Sequence, residues 1–436
     1  MLAGLLKPKN TERLKLLRER RSLLPDHAQK PSQALGSYSL GCGATHGIYE
    51  ACNFGCTACY LGKNANRQPA MPFEEVYQQL VMLRKHLGPT GNVQITSGEV
   101  TLLPVEDLLR IVKAAINLEL SPMVMTHGDV FLHHPGYLAK LVQEGGLRKL
   151  SIHVDTTQRG RKGIVVPRSE DDLNQVRDAM AAMLRETAVA TGKRLKAATT
   201  LTVNGQNLPQ LPGIVSWFLN NLDAFRMLSL QPQAKTGRTQ KGRGPDAASV
   251  WSVLEEALGR ELNPWPMTMG HQACNRMAFL VAIEAGNHRQ IVELVRKGNR
   301  RDQDIMTSFL HHFEGVLFND RPTLSSLSAV LGVLIRKPRL IRQLLSYAAI
   351  RLWHERKRAG FVTKAFLSGR LRIRPFAMVV HAFMSTDELD SPLGKERLAA
   401  CAFKVPLGDR MVSMCEMNGS GLRESTYTQA DAAVPV

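Results

Sequence analysis

Between about residue 44 and residue 235, short apolar runs alternate with longer segments in which apolar residues recur every three or four positions. The short runs are typical of buried strands, and the periodic segments are typical of amphipathic helices. The strands are predicted over His46–Glu50, Asn92–Ile95, Pro122–Met125, Lys149–Val154, Lys196–Val203 and Phe225–Leu230. The helices are predicted over Phe73–His86, Val105–Leu118, Pro135–Glu144, Glu170–Thr191 and Leu208–Asn221. This alternation indicates parallel β/α units, whose chemistry lies at the C-terminal ends of the strands.

The pattern divides the chain into a basic N-terminal segment (residues 1–40), a β/α core (41–240) and a C-terminal region (241–436). Leu14 and Leu17 predict a short N-terminal helix that either touches a membrane or packs on its own domain. Residues 306–380 are predicted to be helical and basic: twelve Lys or Arg and one acid, Glu355, lie between Arg336 and Pro375. This segment is either a solvated helix face or a surface for anionic headgroups.

Composition places the 436-residue chain among ordinary globular proteins, since 44% of its residues are hydrophobic and 22% are charged. A net charge of +18 indicates an anionic partner, and the absence of a recognised nucleic-acid-binding motif argues against nucleic acid. Seven cysteines are too few for a disulfide scaffold, and no run reaches the roughly 18 apolar residues that span a bilayer. We therefore expect a cytoplasmic protein, with peripheral contact at the inner face of the membrane as an option.

The most specific chemical signal is the Cys-x3-Cys-x2-Cys spacing of Cys52, Cys56 and Cys59, predicted to follow the first strand. Three close thiolates can hold three irons of a [4Fe–4S] cluster and leave the fourth iron open to another ligand. The alternative is a zinc site or a set of buried thiols. Zinc sites usually close with a second ligand pair about 12–20 residues on, whereas the next cysteine here is Cys274.

This spacing resembles the signature of the radical S-adenosylmethionine (radical SAM) superfamily. The resemblance implies an α/β fold, a partial (β/α)6 TIM-like barrel, here with a helical, basic C-terminal extension. It implies a [4Fe–4S] cluster whose open iron chelates SAM, and a 5′-deoxyadenosyl radical that abstracts a substrate hydrogen. A reductant such as flavodoxin or ferredoxin is the expected partner. No catalytic residue is assigned beyond the cluster ligands.

Ser97-Gly98-Glu99 follows the second predicted strand, where the superfamily carries a Gly-Gly-Glu motif that binds the SAM amino group. A small residue and a glycine allow close backbone approach, and the carboxylate complements an ammonium. Tyr60 directly follows the last cysteine, and it either shields the cluster and packs against adenine or fills loop space.

Later strands end in further polar candidates. Thr126-His127-Gly128 stands where related enzymes often have Thr-Asn-Gly, and it is either a cofactor contact or a plain turn. His153 and Asp155 are candidates for the SAM ribose or carboxylate, although His153 equally suits a structural role. Gln231 and Arg238, which follow the sixth predicted strand, complete the set expected to bind cofactor. Arg238 either pairs with a carboxylate or phosphate or is a solvated surface arginine.

The remaining cysteines are Cys42, Cys274, Cys401 and Cys415. They are either buried small hydrophobes or, for Cys274, Cys401 and Cys415 above all, ligands of a second iron–sulfur cluster. Their spacing, with Gln231-Pro232 and Thr236-Gly237-Arg238, resembles the radical SAM branch of tetraether lipid synthase and bacterial membrane-spanning lipid synthases. That branch implies an auxiliary iron site and radical chemistry on lipid alkyl chains.

These observations leave three hypotheses for function. The first is a radical SAM enzyme that functionalises an unactivated C–H bond of a lipid, by C–C coupling or a related modification, with a lipid or other anionic substrate and an anionic membrane as partners. The second is radical SAM modification of a peptide or small metabolite. The third is a non-catalytic metal- or nucleic-acid-binding protein, against which the Ser-Gly-Glu tripeptide and the β/α periodicity both argue.

Overall fold

A computed structural model of the protein describes residues 10–239, 242–286, 288–316, 324–354 and 371–427. Its strands are β1 (Cys42–Ala44), β2 (Asn92–Ile95), β3 (Ser121–Thr126), β4 (Lys149–His153), β5 (Lys196–Val203), β6 (Phe225–Pro232), β7 (Asn275–Ala285), β8 (His288–Glu293), β9 (Leu371–His381), β10 (Phe403–Leu407) and β11 (Arg410–Ser413). They form one sheet in the order β11-β10-β1-β2-β3-β4-β5-β6-β9-β7-β8.

Strands β1 to β6 are parallel neighbours in chain order, as the β/α alternation predicts. β10 continues the parallel sheet beyond β1, and β9 continues it beyond β6. Antiparallel strands end it on both sides, β11 beside β10 and β7–β8 beside β9. The α/β fold with a partial, TIM-like barrel is therefore confirmed, and strands from the C-terminal region extend its sheet.

The helices are α1 (Thr11–Ser22), α2 (Phe73–Leu87), α3 (Val105–Asn117), α4 (Asp129–His133), α5 (Pro135–Gln143), α6 (Asn174–Thr191), α7 (Leu211–Asn220), α8 (Ala247–Leu258), α9 (Arg300–His312), α10 (Leu324–Arg336), α11 (Pro338–His354), α12 (Pro392–Ala399), α13 (Met414–Gly419) and α14 (Leu422–Ser425). Those that connect the parallel strands β1 to β6 bury their apolar faces in the core. In α3, Leu108 and Val112 recur four residues apart in the core, and Glu106 and Asp107 favour the helix N-terminus. Among the described residues, no helix is long and apolar enough to cross a membrane.

The first strand lies earlier in the chain than the sequence pattern predicts. The prediction over His46–Glu50 is wrong, because β1 ends at Ala44 and Gly47 then adopts a left-handed φ of 68°. Side chains satisfy the backbone there: the amide of His46 donates to Gln79 Oε1 at 2.9 Å, and the amide of Gly47 donates to Glu50 Oε1 at 3.0 Å. Residues 45–51 therefore form a connection between β1 and the cysteine loop.

The helical prediction over 306–380 is wrong for residues 371–380, which belong to β9. This strand pairs with β6 and β7, and Phe376, Met378 and Val380 of its second half alternate into the core, whereas Ile373 of its first half is exposed. The segment's alternating apolar and basic residues thus follow the two-residue period of a strand. Residues 317–323 and 355–370 of the predicted segment lie outside the described part of the chain.

Candidate active site

A cavity of about 230 Å³ opens at the C-terminal ends of β2 to β6, the end at which β/α barrels carry their chemistry. The cysteine loop, the turns after these strands and segments of the C-terminal region line it. Among the residues predicted to form the site, those that line the cavity are Cys52, Cys56, Cys59, Tyr60, Ser97, Gly98, Glu99, Thr126, His127, His153, Gln231 and Cys415. Asp155, Arg238, Cys274, Cys401 and Cys42 are not among the lining residues.

Hydrogen bonds to the loops after β4 and β6 fix the loop that carries the three cysteines. The amide of Thr57 donates to the carbonyl of Thr157 at 2.8 Å, just beyond β4. The amide of Cys59 donates to Thr239 Oγ1 at 2.7 Å, and the Cys59 carbonyl accepts from the amide of Arg238 at 2.9 Å. The loops after β4 and β6 therefore hold the thiols at the cavity.

Gly98 lets the turn after β2 lie directly against the segment that leads into Cys52. Its amide donates to the carbonyl of Tyr49 at 3.0 Å, and the next amide, of Glu99, donates to the carbonyl of Ala51 at 3.0 Å. A Cβ at position 98 would stand 2.2 Å from the carbonyl oxygen of Glu50, well inside contact distance. Only glycine fits here, because the turn lies against the backbone that leads into Cys52. The predicted close approach of this glycine to a ligand stays a prediction.

We expect Gly98→Ala to raise the KM for SAM at least about tenfold, because the clash pushes the turn and the Cys52 segment apart, with an overpacking cost of about 1–3 kcal/mol. Steady-state SAM cleavage measures the effect. Gly136→Ala is the control, since nothing lies within 4 Å of a Cβ at that position on α5. Equal KM values for the two variants would contradict the proposed role of the close approach.

Glu99 is buried, and its carboxylate is fixed by four donors. Oε1 accepts from the amide of Thr101 at 3.1 Å, from Thr101 Oγ1 at 2.5 Å and from Thr126 Oγ1 at 2.8 Å. Oε2 accepts from the amide of His127 at 2.8 Å. These donors orient the carboxylate at the cavity, and the His127 ring lies beside it, with Nε2 3.2 Å from Oε2.

His127 links the end of β3 to the cysteine loop. Nδ1 faces the amide of Asp129 at 3.1 Å and must accept, so the proton of the neutral ring resides on Nε2. Nε2 lies 2.9 Å from Asn53 Oδ1, and Phe54 stacks on the ring at a centroid distance of 3.8 Å. Burial lowers the pKa of His127, which favours this neutral form. His127 is thus placed as a positioning residue for the loop.

His153 and Asp155 form a bonded pair in which His153 lines the cavity and Asp155 lies beneath it. The carboxylate of Asp155 is fully buried and accepts from Thr157 Oγ1 at 2.6 Å and from the amide of Thr202 at 2.6 Å. Its Oδ2 lies 2.5 Å from His153 Nε2. Asp155 therefore orients His153 and the end of β5.

Tyr60 and Arg238 brace loops. Tyr60 donates its hydroxyl to the carbonyl of Ser97 at 2.5 Å, which ties the cysteine loop to the Ser-Gly-Glu turn. Arg238 donates from Nε to the carbonyl of Gly62 at 2.9 Å and from a terminal nitrogen to Asn66 Oδ1 at 3.0 Å. The Arg238 guanidinium therefore donates to acceptors of the loop that follows the cysteines.

A buried ion pair near the cysteine loop has no counterpart in the sequence predictions. Arg423 lies on α14, and its guanidinium donates to Glu50 Oε1 at 2.6 Å, with both side chains less than 5% exposed. Tyr427 adds a hydrogen bond from its hydroxyl to Glu50 Oε2 at 3.2 Å, and it accepts from the amide of Gly62 at 3.1 Å. Arg423 also lies over the Tyr60 ring, 4.9 Å from its centroid. We name Glu50, Arg423 and Tyr427 the C-terminal clamp, since they join the chain's last described helix to the loop.

The four other thiols form a second neighbourhood. Burial raises the pKa of Cys415 to about 12, with smaller increases from Cys401 and Cys274. Burial likewise raises the pKa of Cys42 to about 12, with an increase from Cys401. Contacts between segments agree with this: the amide of Ala382 donates to the carbonyl of Cys274 at 2.9 Å, and the amide of Met384 lies 3.4 Å from Cys415 Sγ. The amide of Cys42 donates to the carbonyl of Ala402, next to Cys401, at 2.9 Å.

The donor set at the cysteine loop fits an iron–sulfur cluster. Cys52, Cys56 and Cys59 bring three thiols to one cavity, and burial raises the pKa of each. A bound cation would therefore be required to keep them as thiolates at neutral pH. The hydroxyl and amide groups around the cavity suit a polar ligand beside that cluster, and they include side chains the sequence predictions missed: Thr96, Ser151, Gln158, Thr200 and Thr202.

Comparison with known proteins agrees with this donor set. Residues 47–206 match the sequence profile of the Radical SAM superfamily. The 7,8-dihydro-6-hydroxymethylpterin dimethyltransferase of Methanocaldococcus jannaschii is 26% identical over 195 residues, which cover 44% of this chain and 37% of that protein. This chain thus spans little more than a third of that relative's length.

Two solved structures show more distant similarity. The Streptococcus suis protein SuiB, bound to the precursor peptide SuiA, has a TM-score of 0.37 and 17% identity, and the match covers 50% of this chain and 45% of that one. Methylornithine synthase (PylB) has a TM-score of 0.34 and 17% identity, with 60% of this chain and 73% of that one covered.

Proposed function

We propose that the protein, whose residues 47–206 match the radical SAM profile, functionalises an unactivated C–H bond of a lipid alkyl chain. In this proposal the protein is a radical SAM enzyme, with a [4Fe–4S] cluster and SAM as its cofactors. C–C coupling or a related modification is the reaction we propose, with flavodoxin or ferredoxin as the reductant. An anionic membrane surface is the proposed source of the substrate.

In this proposal the chain's residues bind and orient. Cys52, Cys56 and Cys59 would hold the cluster, and the Glu99 carboxylate would receive the SAM ammonium. When bound, these cofactors supply reductive SAM cleavage and hydrogen abstraction by the resulting 5′-deoxyadenosyl radical. His127, through Asn53 and Phe54, keeps the cysteine loop against the end of β3.

The observation that supports an alkyl substrate is the apolar part of the cavity lining. Phe383, Met384, Phe403 and Met414 contribute it from the C-terminal region, whereas the strand ends contribute mainly hydroxyl and amide groups. Contact with these side chains would remove the apolar surface of a hydrocarbon chain from water. An sp³ C–H bond offers no acidic proton, so radical abstraction is the chemistry that suits it.

Lipid mass spectrometry of cells with and without the protein tests the proposed substrate. We expect a lipid species with a new C–C bond or a related alkyl modification that disappears when the protein is removed. A catalytically dead Cys56→Ala chain is the control, and it should give the profile of the deletion. An unchanged lipid profile would overturn the lipid proposal while leaving SAM cleavage unaffected.

A small-metabolite substrate is the second candidate, and the 26% identity to a pterin dimethyltransferase is the observation that favours it. Incubation of the reduced enzyme with SAM and a pterin distinguishes the candidates. Consumption of pterin with formation of a methylated product would favour the second candidate. If no pterin is consumed and no methylated product forms, the lipid proposal stands.

The second thiol neighbourhood is our proposed site of an auxiliary iron–sulfur cluster, held by Cys274, Cys401 and Cys415. The amide of Met384 lies 3.4 Å from Cys415 Sγ, and Arg397 Nε lies 3.5 Å from Cys274 Sγ. Such donors stabilise thiolates, as they would around a bound cluster. Cys415 also lines the main cavity, which would bring this cluster close to the substrate.

We expect anaerobic reconstitution to give about eight iron atoms per chain, and about four in Cys274→Ala, because each cubane cluster holds four. Iron and sulfide analysis measures the content. Cys42→Ala reports whether Cys42 completes the auxiliary site, since its loss would then also lower the iron content. A wild-type content of about four would contradict the auxiliary cluster.

A further inference from the structure

Helices α10 and α11 form a hairpin with one buried face. Val333 and Leu340 are buried at its centre, where they join Phe313 and Val316. Farther along α11, Tyr347 donates its hydroxyl to the carbonyl of Leu294 at 2.5 Å, and Arg351 donates to the carbonyl of Glu293 at 2.8 Å. Positions 340, 347 and 351 share one face of a helix, so this face fixes α11 to the rest of the fold.

The outer face of the hairpin carries an unusual concentration of exposed aliphatic side chains. Among the described residues, fourteen large hydrophobic side chains are exposed, and five of them lie between positions 331 and 345: Leu331, Ile335, Ile341, Leu344 and Leu345. Ile335 is 66% exposed and Leu345 is 65% exposed. Ile341 and Leu345 are rotated by about 100° and 140° from the buried Leu340, at about 100° per residue. The apolar stripe therefore points away from the core.

Cations lie among these aliphatic residues, and acids do not. Lys337, Arg339 and Arg342 are exposed at the start of α11 and just before it. The sequence contains no Asp or Glu from position 321 to position 354. A helix that combines exposed aliphatic side chains with Lys and Arg matches the chemistry of a bilayer interface, where apolar side chains enter the acyl boundary and cations meet headgroups.

We propose that the outer face of the α10–α11 hairpin docks the enzyme on an anionic lipid bilayer. The inference rests on the proposed function, because a lipid substrate would explain why the enzyme binds a bilayer. The evidence for the surface itself is the composition and exposure of the hairpin. Nucleic acid fits less well, because single-stranded nucleic acid binds to aromatic side chains as well as cations, and the five exposed side chains are all aliphatic. The exposed cations of the hairpin, Lys337, Arg339 and Arg342, are thus the positive charges that we expect to meet the headgroups.

Vesicle sedimentation of the reconstituted, full-length enzyme tests the surface. We expect binding to vesicles of phosphatidylcholine with phosphatidylglycerol, weaker binding at high salt, and little binding to phosphatidylcholine alone. Arg339→Gln with Arg342→Gln should weaken binding about thirtyfold, from about 1 kcal/mol per cation near the surface. Ile341→Ser with Leu345→Ser should weaken it at least about tenfold, since each removes an inserted side chain.

Control variants elsewhere on the surface test whether vesicle binding depends on the hairpin or only on the protein's overall charge and exposed apolar area. Val189→Ser removes an exposed aliphatic side chain from α6, and Lys113→Gln removes an exposed cation from α3, so both should bind like wild type. All hairpin variants should retain solution SAM cleavage, because the hairpin contributes no residue to the cavity lining. If the wild-type enzyme does not cleave SAM, that result counts against the proposed function. Vesicle binding reports only on the hairpin.

Three outcomes would overturn the inference. Equal binding by hairpin and control variants would place the membrane contact elsewhere. Absence of vesicle binding, together with hairpin-dependent binding of labelled RNA, would make the surface a nucleic-acid site. Absence of vesicle binding with a lower unfolding temperature for Ile341→Ser and Leu345→Ser would show that the chain itself covers the stripe.

Discussion

Cys52→Ala is expected to abolish reductive SAM cleavage. Without this thiol, the loop offers only Cys56 and Cys59, which cannot hold three irons of a cubane cluster. Anaerobic incubation with dithionite and SAM, followed by chromatography of 5′-deoxyadenosine, measures the effect. We expect product at the level of the enzyme-free background, together with a loss of about four iron atoms per chain.

Cys42→Ala is the matched control, since Cys42 is also a half-buried thiol but lies on β1 outside the cavity lining. It should cleave SAM at the wild-type rate, whether or not it contributes to the auxiliary site. The assignment of the catalytic cluster would fail if Cys52→Ala still formed 5′-deoxyadenosine at the wild-type rate.

Arg423→Met is expected to destabilise the protein by about 3–5 kcal/mol, because it leaves the buried Glu50 carboxylate without its cation. The same change removes the contact over the Tyr60 ring and loosens the C-terminal clamp on the cysteine loop. The KM for SAM should therefore rise as well. Anaerobic denaturant unfolding and SAM-cleavage kinetics measure the two effects.

Arg185→Met provides the comparison, since it breaks the Arg185–Asp223 pair, in which both side chains are substantially exposed. Exposed pairs contribute about 0–1 kcal/mol, so this variant should unfold nearly like wild type. If Glu50→Gln restores stability to Arg423→Met, the uncompensated charge is the cause of the loss. A normal KM for SAM in a destabilised Arg423→Met would limit the clamp to a structural role.

Local signals of the chain predicted many of the residues that the fold brings to one cavity. The Cys-x3-Cys-x2-Cys spacing, the Ser-Gly-Glu turn and the alternation of strands and helices are patterns within a few residues, and each follows from local geometry. Those patterns predicted β2 to β6 and a cavity at their C-terminal ends. They failed at β1, where side chains of Gln79 and Glu50 replace the strand pairing expected from the apolar run.

Contacts between distant segments required the tertiary structure. Arg423 and Glu50 are 373 residues apart, and nothing near either residue specifies the other. β9 is a strand because β6 and β7 supply hydrogen-bond partners on both of its sides. The sequence thus determined which groups could do the chemistry, since residue type and short-range period are local. Only the packed structure decided which distant groups brace the cysteine loop, which thiols gather, and which face of α11 is left to solvent.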